Sequence, residues 1–200
     1  MKKTAVVFQS KYGATRKYAG WIAEELSCDL FERKKVNRAE LEPYDTILYG
    51  GGLYAGGVNG IDFLTKNFDR FHGKNLILFT CGLADPADKD NTDHIGKGLN
   101  RVFTGRMRER IKVFHLRGAI DYSRLSPVHR SMMAMLCRMT RRKDPASLRG
   151  EDREMLVTYG KAVDFTDKPD FWDWNVPYDI SGNAFRILRG NRVRASTKYG

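Results

Sequence analysis

The sequence contains few cysteines and histidines, and those it has are widely scattered. There are three cysteines and four histidines among 200 residues. An odd number of distant cysteines fits neither a disulfide framework nor a Cys-x-x-Cys metal site, and the histidines form no ligand cluster for a transition metal. We therefore expect free thiols, as in a reducing cytoplasm, and no metal.

Long apolar stretches are missing as well. No run approaches the ~18–20 apolar residues that a membrane-spanning helix needs, and the apolar run at 4–9 is too short for a signal peptide. Hydrophobic residues make up 42% of the chain and charged residues 30%, which is typical of a globular domain in water. The expected location is the cytoplasm.

Acidic residues are in the minority. The chain has 35 Lys and Arg against 24 Asp and Glu, a net charge of +11. Such an excess favours an anionic partner: nucleic acid, an acidic membrane surface or a substrate that bears carboxylates. Nucleic acid is the least expected of the three, because the sequence has no helix-turn-helix, zinc finger or RNP motif.

Short apolar runs alternate with stretches of helical periodicity along most of the chain. The runs rich in β-branched and aromatic residues predict five strands, at 4–9, 29–32, 46–49, 76–81 and 111–116. The periodic stretches predict helices, at 16–26, 61–71, 92–107 and 151–165. Strands that alternate with helices predict a mainly parallel sheet covered by helices on both faces.

The turn between the first strand and the first helix has the composition of a phosphate-binding loop. Its sequence is Ser10-Lys11-Tyr12-Gly13-Ala14-Thr15. The N–H groups and the dipole of the following helix point at such a turn, Ser10 and Thr15 add hydroxyl donors, and Gly13 lets the backbone come close to a ligand. A simple N-cap turn explains the same spacing, because Ser and Thr favour helix caps.

This loop, S-K-Y-G-A-T after V-V-F-Q, resembles the phosphate loop of the flavodoxin family, and the segment at 44–50 resembles that family's third strand. The resemblance implies a flavodoxin-like doubly wound α/β fold, with a five-stranded parallel sheet in the order 2-1-3-4-5 and noncovalently bound FMN. It implies FMN contacts from a phosphate loop and two flanking loops: Ser10, Lys11, Tyr12, Gly13, Ala14 and Thr15; Gly52, Leu53, Tyr54, Ala55 and Gly56; Thr80, Cys81, Gly82 and Leu83.

The three implied loops agree with a single ligand. In an open α/β sheet, ligands bind outside the carboxyl ends of the strands, at the topological switch point. Glycines let main chain approach a flat ring, and Leu53 or Tyr54 could lie against the ring face. Taken alone, the glycines at 50–57 could form only a tight turn, and Cys81 could be an ordinary small core residue.

One nucleotide-binding motif is a weaker alternative, and a second motif does not compete. Gly50-x-Gly52-x-x-Ala55, with Asp69 near the required distance, is compatible with the dinucleotide fingerprint. That motif normally opens the first βαβ unit, however, and here it follows the third predicted strand. The pair Gly96-Lys97 lacks the upstream Gly and the following Ser or Thr of a P-loop.

The composition changes at about Gly118. From 117 to 150 the sequence has eight Lys and Arg against two Asp, and four of its seven Met lie between Met132 and Met139. We expect a domain at 1–165 that carries an insertion at about 118–150 before its last helix, followed by a C-terminal extension at 166–200. Trp172 and Trp174 in the extension are more typical of packing than of ligand binding.

The segment at 113–122, with the phrase L-R-G-A-I-D-Y and the Met-rich stretch after it, resembles the bacterial menaquinone-dependent protoporphyrinogen dehydrogenase family. The resemblance runs from the first strand to about 165. It implies an FMN-dependent oxidoreductase of heme biosynthesis, which oxidises a porphyrinogen and passes the electrons to a quinone. Tyr54-Ala55 and Asp121 differ from that family's commoner choices, and the C-terminal extension is foreign to it. The substrate is therefore less firmly implied than FMN, and no catalytic base can be named.

Arginines of the insertion are candidate substrate residues. Arg117, Arg124 and Arg130 could pair with porphyrin propionates, because guanidinium binds carboxylates in a bidentate manner. A solvated basic face explains them equally well. Two other functions stay open, a flavodoxin-type electron carrier and an FMN-dependent reductase of another small molecule. A carrier that docks basic partners would need an acidic surface, which the net charge of +11 argues against.

A helix that begins at Ser126 or Ser131 would place Met132, Met135, Leu136 and Met139 on one side. Basic residues around them would meet anionic lipid headgroups. The pattern predicts that 126–143 lies on the inner face of the cell membrane, near a quinone. Alternatively, the methionines pack against the domain's own core or a dimer partner.

Overall fold

Residues 3–54 and 57–168 are described by the computed structural model. The predicted C-terminal extension is therefore covered only as far as Lys168, and Trp172 and Trp174 lie outside the described residues. Two of the predicted FMN contacts, Ala55 and Gly56, also lie outside them.

Six strands form the central sheet, and in chain order they are β1 (Thr4–Gln9), β2 (Asp29–Glu32), β3 (Thr46–Tyr54), β4 (Gly57–Val58), β5 (Asn75–Gly82) and β6 (Ile111–Arg117). Five of them are parallel, in the order β2-β1-β3-β5-β6, and β4 pairs antiparallel with the end of β3. Numbered without β4, this is the order 2-1-3-4-5, so the predicted sheet is confirmed.

Apolar side chains fill both faces of this sheet. Val6 and Val7 are neighbours in β1 and point to opposite faces, yet both are fully buried. The helix α1 (Ala14–Leu26) covers one face with residues such as Ile22, while Phe63 and Leu64 pack on the other. Burial on both faces explains why the central strands β1, β3 and β5 show no alternation of apolar and polar residues, whereas the edge strands β2 and β6 carry charged residues.

The remaining helices are shorter than their predicted ranges. They are α2 (Asp62–Asn67), α3 (Lys89–Asn100), α4 (Gly105–Arg110), α5 (Pro127–Thr140) and α6 (Gly150–Thr158). The single helix predicted at 92–107 is wrong, because α3 ends and Thr104 caps a separate helix, α4, by accepting a hydrogen bond from the Met107 N–H. None of the helices in the described part of the chain is long and apolar enough to cross a membrane.

The closing helix predicted at 151–165 is also wrong in its second half. Gly160 has a φ of +80°, which turns the chain after α6. The next residues form β8 (Ala162–Asp164), which pairs antiparallel with β7 (Ala119–Asp121). The predicted helix therefore ends where backbone hydrogen bonds to a distant strand become available.

Between β7 and α6 the chain forms the helix α5. Ser126 is its N-cap, with the hydroxyl oxygen accepting a 3.4 Å hydrogen bond from the His129 N–H, and Pro127 occupies the first helical position. Of the two predicted starting points, Ser126 is right and Ser131 is wrong.

Candidate cofactor-binding site

A cavity of about 280 Å³ lies at the carboxyl ends of β1, β3 and β5. Most of the predicted FMN contacts line it: Ser10, Lys11, Tyr12, Ala14, Thr15, Gly52, Leu53, Tyr54, Cys81, Gly82 and Leu83. Gly13 lies in the turn beneath them, and Thr80 is fully buried within the sheet. The fold thus brings the three predicted loops to one place.

The loop after β1 leaves the start of α1 open to a ligand. Gly13 occupies the N-cap position with a φ of +105°, a conformation that L side chains rarely adopt, and among the described residues no side chain caps the helix. The Gly13 N–H donates to the Ser10 Oγ over 3.1 Å. The first helical turn therefore lies at the cavity without a side-chain cap, which leaves its N–H groups available to a phosphate. A simple Ser or Thr N-cap, the alternative explanation of this spacing, is not what the structure has.

The segment at 50–54, expected as a loop, belongs to β3. Gly50, Gly51 and Gly52 pair with Phe79, Thr80 and Cys81 of β5. Gly50 and Gly52 therefore lie inside the third strand and not in a turn that opens a helix. This placement does not fit the dinucleotide fingerprint.

Tyr54 gives the cavity an aromatic wall with an unsatisfied donor. Its hydroxyl oxygen is buried and finds no hydrogen-bond partner among the described residues. Burial, with a smaller contribution from Tyr12, raises the pKa of the Tyr54 phenol, so the hydroxyl stays protonated and can donate. An unsatisfied buried hydroxyl costs about 1–3 kcal/mol. A polar ligand in the cavity would satisfy it.

Cys81 lies in the cavity wall as a neutral thiol. Burial raises its pKa to about 12, although a hydrogen bond with the Thr15 side chain acts in the opposite direction. Because the thiolate is the nucleophilic form, Cys81 is suited to packing beside a ligand and not to covalent chemistry.

The helix α5 closes the cavity from the side of the insertion. His129, Met132, Met133 and Leu136 contribute to the wall. His129 was missed in the sequence because it stands more than 110 residues from Lys11 and Tyr12, which it contacts. Only the 3.6-residue periodicity of the methionines pointed to this helix.

The Arg117 guanidinium already interacts with other side chains of the domain. Its guanidinium donates to the Glu154 carboxylate, lies 3.5 Å from an Asp85 carboxylate oxygen, and stacks 3.8 Å from the centroid of the Phe165 ring. It therefore joins β6 to α6, and its predicted contact with a substrate carboxylate would require these partners to be given up.

The other two predicted arginines lie apart from Arg117. Arg130 donates a 3.1 Å hydrogen bond to the Ser123 carbonyl oxygen, and Arg124 lines an open groove that also includes Gly13. The structure does not bring the three arginines to one point of the cavity, and their substrate role stays a prediction.

No three His, Cys, Asp or Glu side chains within 3–54 and 57–168 lie close enough together to hold a metal ion. Lys11 contributes an ammonium group to the cavity wall, and the first turn of α1 contributes backbone N–H groups and the Thr15 hydroxyl. The donor set consists of N–H groups, hydroxyls and one ammonium, which suits an anion.

The fold and the cavity together define a doubly wound α/β protein with a cavity at its topological switch point, where ligands bind in open α/β sheets. A family model described as a flavodoxin domain matches residues 5–147. The chain belongs to this flavodoxin domain family, so the predicted flavodoxin-like class is confirmed. No curated protein matches the chain.

Several solved structures are similar in fold. A flavodoxin, WrbA-like protein from Agrobacterium tumefaciens is 23% identical, over 49% of this chain and 74% of that chain, with a TM-score of 0.37. Oxidised Flavodoxin 2 from Bacillus cereus is 18% identical, over 57% of this chain and 85% of that chain, with a TM-score of 0.38. A flavoprotein in complex with FMN from Lactobacillus acidophilus is 17% identical, over 58% of this chain and 93% of that chain, with a TM-score of 0.40. These similarities concern the fold alone.

Proposed function

We propose that this chain is a flavoprotein that binds FMN in the cavity and transfers electrons. The observation that carries this proposal is the convergence of three strand-end loops and an uncapped helix N-terminus on one cavity. FMN was the predicted cofactor, and membership of the flavodoxin domain family bears that prediction out at the level of the family.

Different residues around the cavity would bind different parts of FMN. The first-turn N–H groups of α1, with the hydroxyls of Ser10 and Thr15, would hold the phosphate. Leu53 and Tyr54 on one side and the end of β5 on the other would flank the flavin ring, and Tyr54 would donate its free hydroxyl. When bound, FMN supplies the electron-transfer chemistry, while the protein supplies orientation and electrostatics.

For the reaction itself, we propose the oxidation of a porphyrinogen-like substrate with transfer of two electrons to a quinone. The sequence resemblance at 113–122 motivates this proposal. It is supported by the apolar wall that Met132, Met133 and Leu136 add to the cavity, because flat apolar rings bind in sites lined by such side chains. Each step would remove two electrons and two protons from the substrate and reduce one quinone to its quinol, so a porphyrinogen would need three such steps to become a porphyrin.

We further propose that α5 lies on an anionic membrane surface, where quinones dissolve. Val128 is 75% exposed, Met135 56% and Met139 58%, and Arg138 and Arg141 are exposed beside them. A helix with exposed apolar residues next to arginines suits an anionic lipid surface. Met132 and Leu136 instead contribute to the cavity, so the predicted methionine stripe has two different environments.

Spectroscopy on the purified protein tests this function. The protein is expected to be yellow, or to become so when FMN is added, and anaerobic protoporphyrinogen is expected to bleach the flavin. Subsequent addition of a quinone should restore the colour. No FMN affinity by titration calorimetry would overturn the cofactor assignment. A flavin that is not reduced by protoporphyrinogen, but is reduced by NAD(P)H or a ferredoxin reductase, would favour a reductase or an electron carrier.

A further inference from the structure

One residue of the insertion touches the phosphate loop through both of its ring nitrogens. The His129 Nε2 lies 3.0 Å from the Lys11 Nζ, and the Nδ1 is hydrogen-bonded to the Tyr12 hydroxyl. The Tyr54 ring lies against the imidazole, with 4.3 Å between the ring centroids. These are contacts between α5 and the loop that would hold the FMN phosphate.

The geometry fixes the protonation state of this imidazole. A lysine ammonium has only donors, so the His129 Nε2 must accept from Lys11 and cannot carry a proton. The proton of the neutral ring is then on Nδ1, which donates to the Tyr12 oxygen. Burial, followed by the charge of Lys11, lowers the pKa of His129 below its usual range. Within the described residues, the groups with ionisable side chains that face the ring are Lys11 and Tyr12 from the loop and Tyr54 from β3.

The rest of α5 is weakly attached to the domain. Of its fourteen residues, three are buried: His129, Cys137 and Thr140. A helix of this length is marginal without tertiary contacts, and segments with few buried contacts open at low free energy. Among the three, His129 is the one that lines the cavity.

Part of the cavity wall is supplied by four residues of α5. The cavity volume of about 280 Å³ lies at the lower limit of ligand pockets, which are ~300–1,000 Å³. Displacement of α5 would therefore widen the cavity on the side of Met132, Met133 and Leu136.

We propose that α5 is a gate over the cofactor cavity and that the neutral imidazole of His129 is the latch, which fastens the gate to Lys11 and Tyr12. The latch concerns the retention of FMN and therefore rests on the proposed function. Protonation of His129 would place two cations against each other and remove the acceptor that Lys11 needs. The latch is thus fully formed above the ordinary histidine pKa of ~6.5 and is lost as the pH falls through the lowered pKa of His129. FMN is held at neutral pH and exchanges faster in mild acid.

The rate of FMN release tests the latch. The protein is loaded with FMN, and release is followed by the rise in flavin fluorescence at pH 7.5 and pH 5.5. The wild-type rate should rise about tenfold or more in acid, as expected for the loss of a hydrogen bond to a charged group. His129→Gln should release slowly at both values, because its carbonyl can accept from Lys11 and its amide can donate to Tyr12 without titrating. His129→Phe should release fast at both.

A histidine away from the site provides the matched control. His72 is exposed in a turn, and His72→Gln should keep the wild-type acid response. An acid response in His129→Gln equal to that of the wild type would overturn the latch. So would slow release from His129→Phe at pH 7.5.

A measurement without flavin separates the latch from the cofactor assignment. Amide hydrogen exchange in the FMN-free protein at pH 7.5 should be about tenfold faster in His129→Phe than in the wild type, within α5 only. The amides of α1 serve as the internal control for folding. Unchanged exchange in α5 would reject the latch whatever the ligand. Absence of FMN binding, with the exchange difference present, would instead reject the proposed function and keep the latch.

Discussion

The hydroxyl oxygen of Thr80 lies 2.7 Å from the Nδ1 of His115, and both side chains are buried where β5 and β6 run side by side. Burial lowers the pKa of His115 to about 4. The folded protein therefore holds this imidazole neutral under conditions in which an unfolded chain would protonate it. The stabilisation is complete above a pH of ~6.5 and is lost as the pH falls towards 4.

We predict that His115 makes the fold sensitive to acid. Between pH 7 and pH 4 this group should lower the free energy of unfolding by roughly 3 kcal/mol, because the pKa differs by about 2.5 between the unfolded chain and the fold. Urea unfolding at several pH values measures the effect. His115→Asn keeps a polar atom near Thr80 but does not titrate, so its profile should be flatter. Parallel profiles for the two proteins would show that His115 is not the source.

The hydroxyls of the phosphate loop should contribute directly to cofactor affinity. Replacing Ser10 by Ala and Thr15 by Val should weaken FMN binding by about 1.5–3 kcal/mol each, the usual contribution of a hydrogen bond to a charged group. Titration calorimetry gives the affinities. Ser147→Ala is the control, since that hydroxyl donates to the Asp144 carbonyl oxygen outside the cavity. An unaltered affinity in the double variant would place the phosphate elsewhere.

A side chain at Gly118 should disturb the cavity wall. An added Cβ would lie 2.8 Å from the Cys81 Sγ and 3.2 Å from the Gly82 carbonyl oxygen, which already accepts a 2.6 Å hydrogen bond from the Gly118 N–H. We expect Gly118→Ala to lower the free energy of unfolding by about 1–3 kcal/mol and to weaken FMN binding.

The matched control for that change is Gly96→Ala. Gly96 lies in α3, and its Cβ would meet nothing within 4 Å. This variant should instead be more stable by about 0.5–1 kcal/mol, the difference between Ala and Gly in a helix interior. Urea unfolding compares the two. Equal effects at both positions would mean that the contact with Cys81 is not what makes Gly118 sensitive.

Binding of α5 to lipid should depend on charge. Replacing Arg138, Arg141 and Arg142 by Gln should weaken binding to anionic liposomes roughly 100-fold, at about 1 kcal/mol for each charge. Lys143 is left unchanged, because it pairs with the buried Asp152 over 3.0 Å. Flotation at low and high salt is the assay. The control is a variant of equal net charge in which Arg70, Lys97 and Arg108 are replaced by Gln. A folded, FMN-loaded wild type that does not float at low salt would leave α5 without a membrane role.

The central strands β1, β3 and β5 could be predicted because each contains an apolar run buried on both faces, and such a run is visible in the sequence. The strand β3 was predicted to stop at Tyr49, since the glycines after it have low strand propensity. In the structure Gly50, Gly51 and Gly52 stay in the sheet because β5 pairs with them. At these glycines, pairing with the distant strand β5 overrides their low strand propensity. The sequence of β3 alone does not reveal this pairing.

Only the part of the candidate site that is continuous in sequence could be predicted. The phosphate loop is continuous in sequence, so its spacing indicates its chemistry. The contact of His129 with Lys11 and Tyr12 joins residues that are 118 and 117 positions apart, and it depends on how α5 packs. No local pattern distinguishes His129 from the exposed His72.

The pairing of β7 with β8 places the start of the insertion beside the strand that follows α6, with Asp121 opposite Ala162 and Ala119 opposite Asp164. The residues between 121 and 162, which include the rest of the insertion and α6, thus form a loop that this pairing closes. Lengthening a closed loop costs only about 0.6 kcal/mol for each doubling of its length. A change in the number of residues between 121 and 162 should therefore alter the free energy of unfolding only slightly, as long as β7 and β8 stay paired.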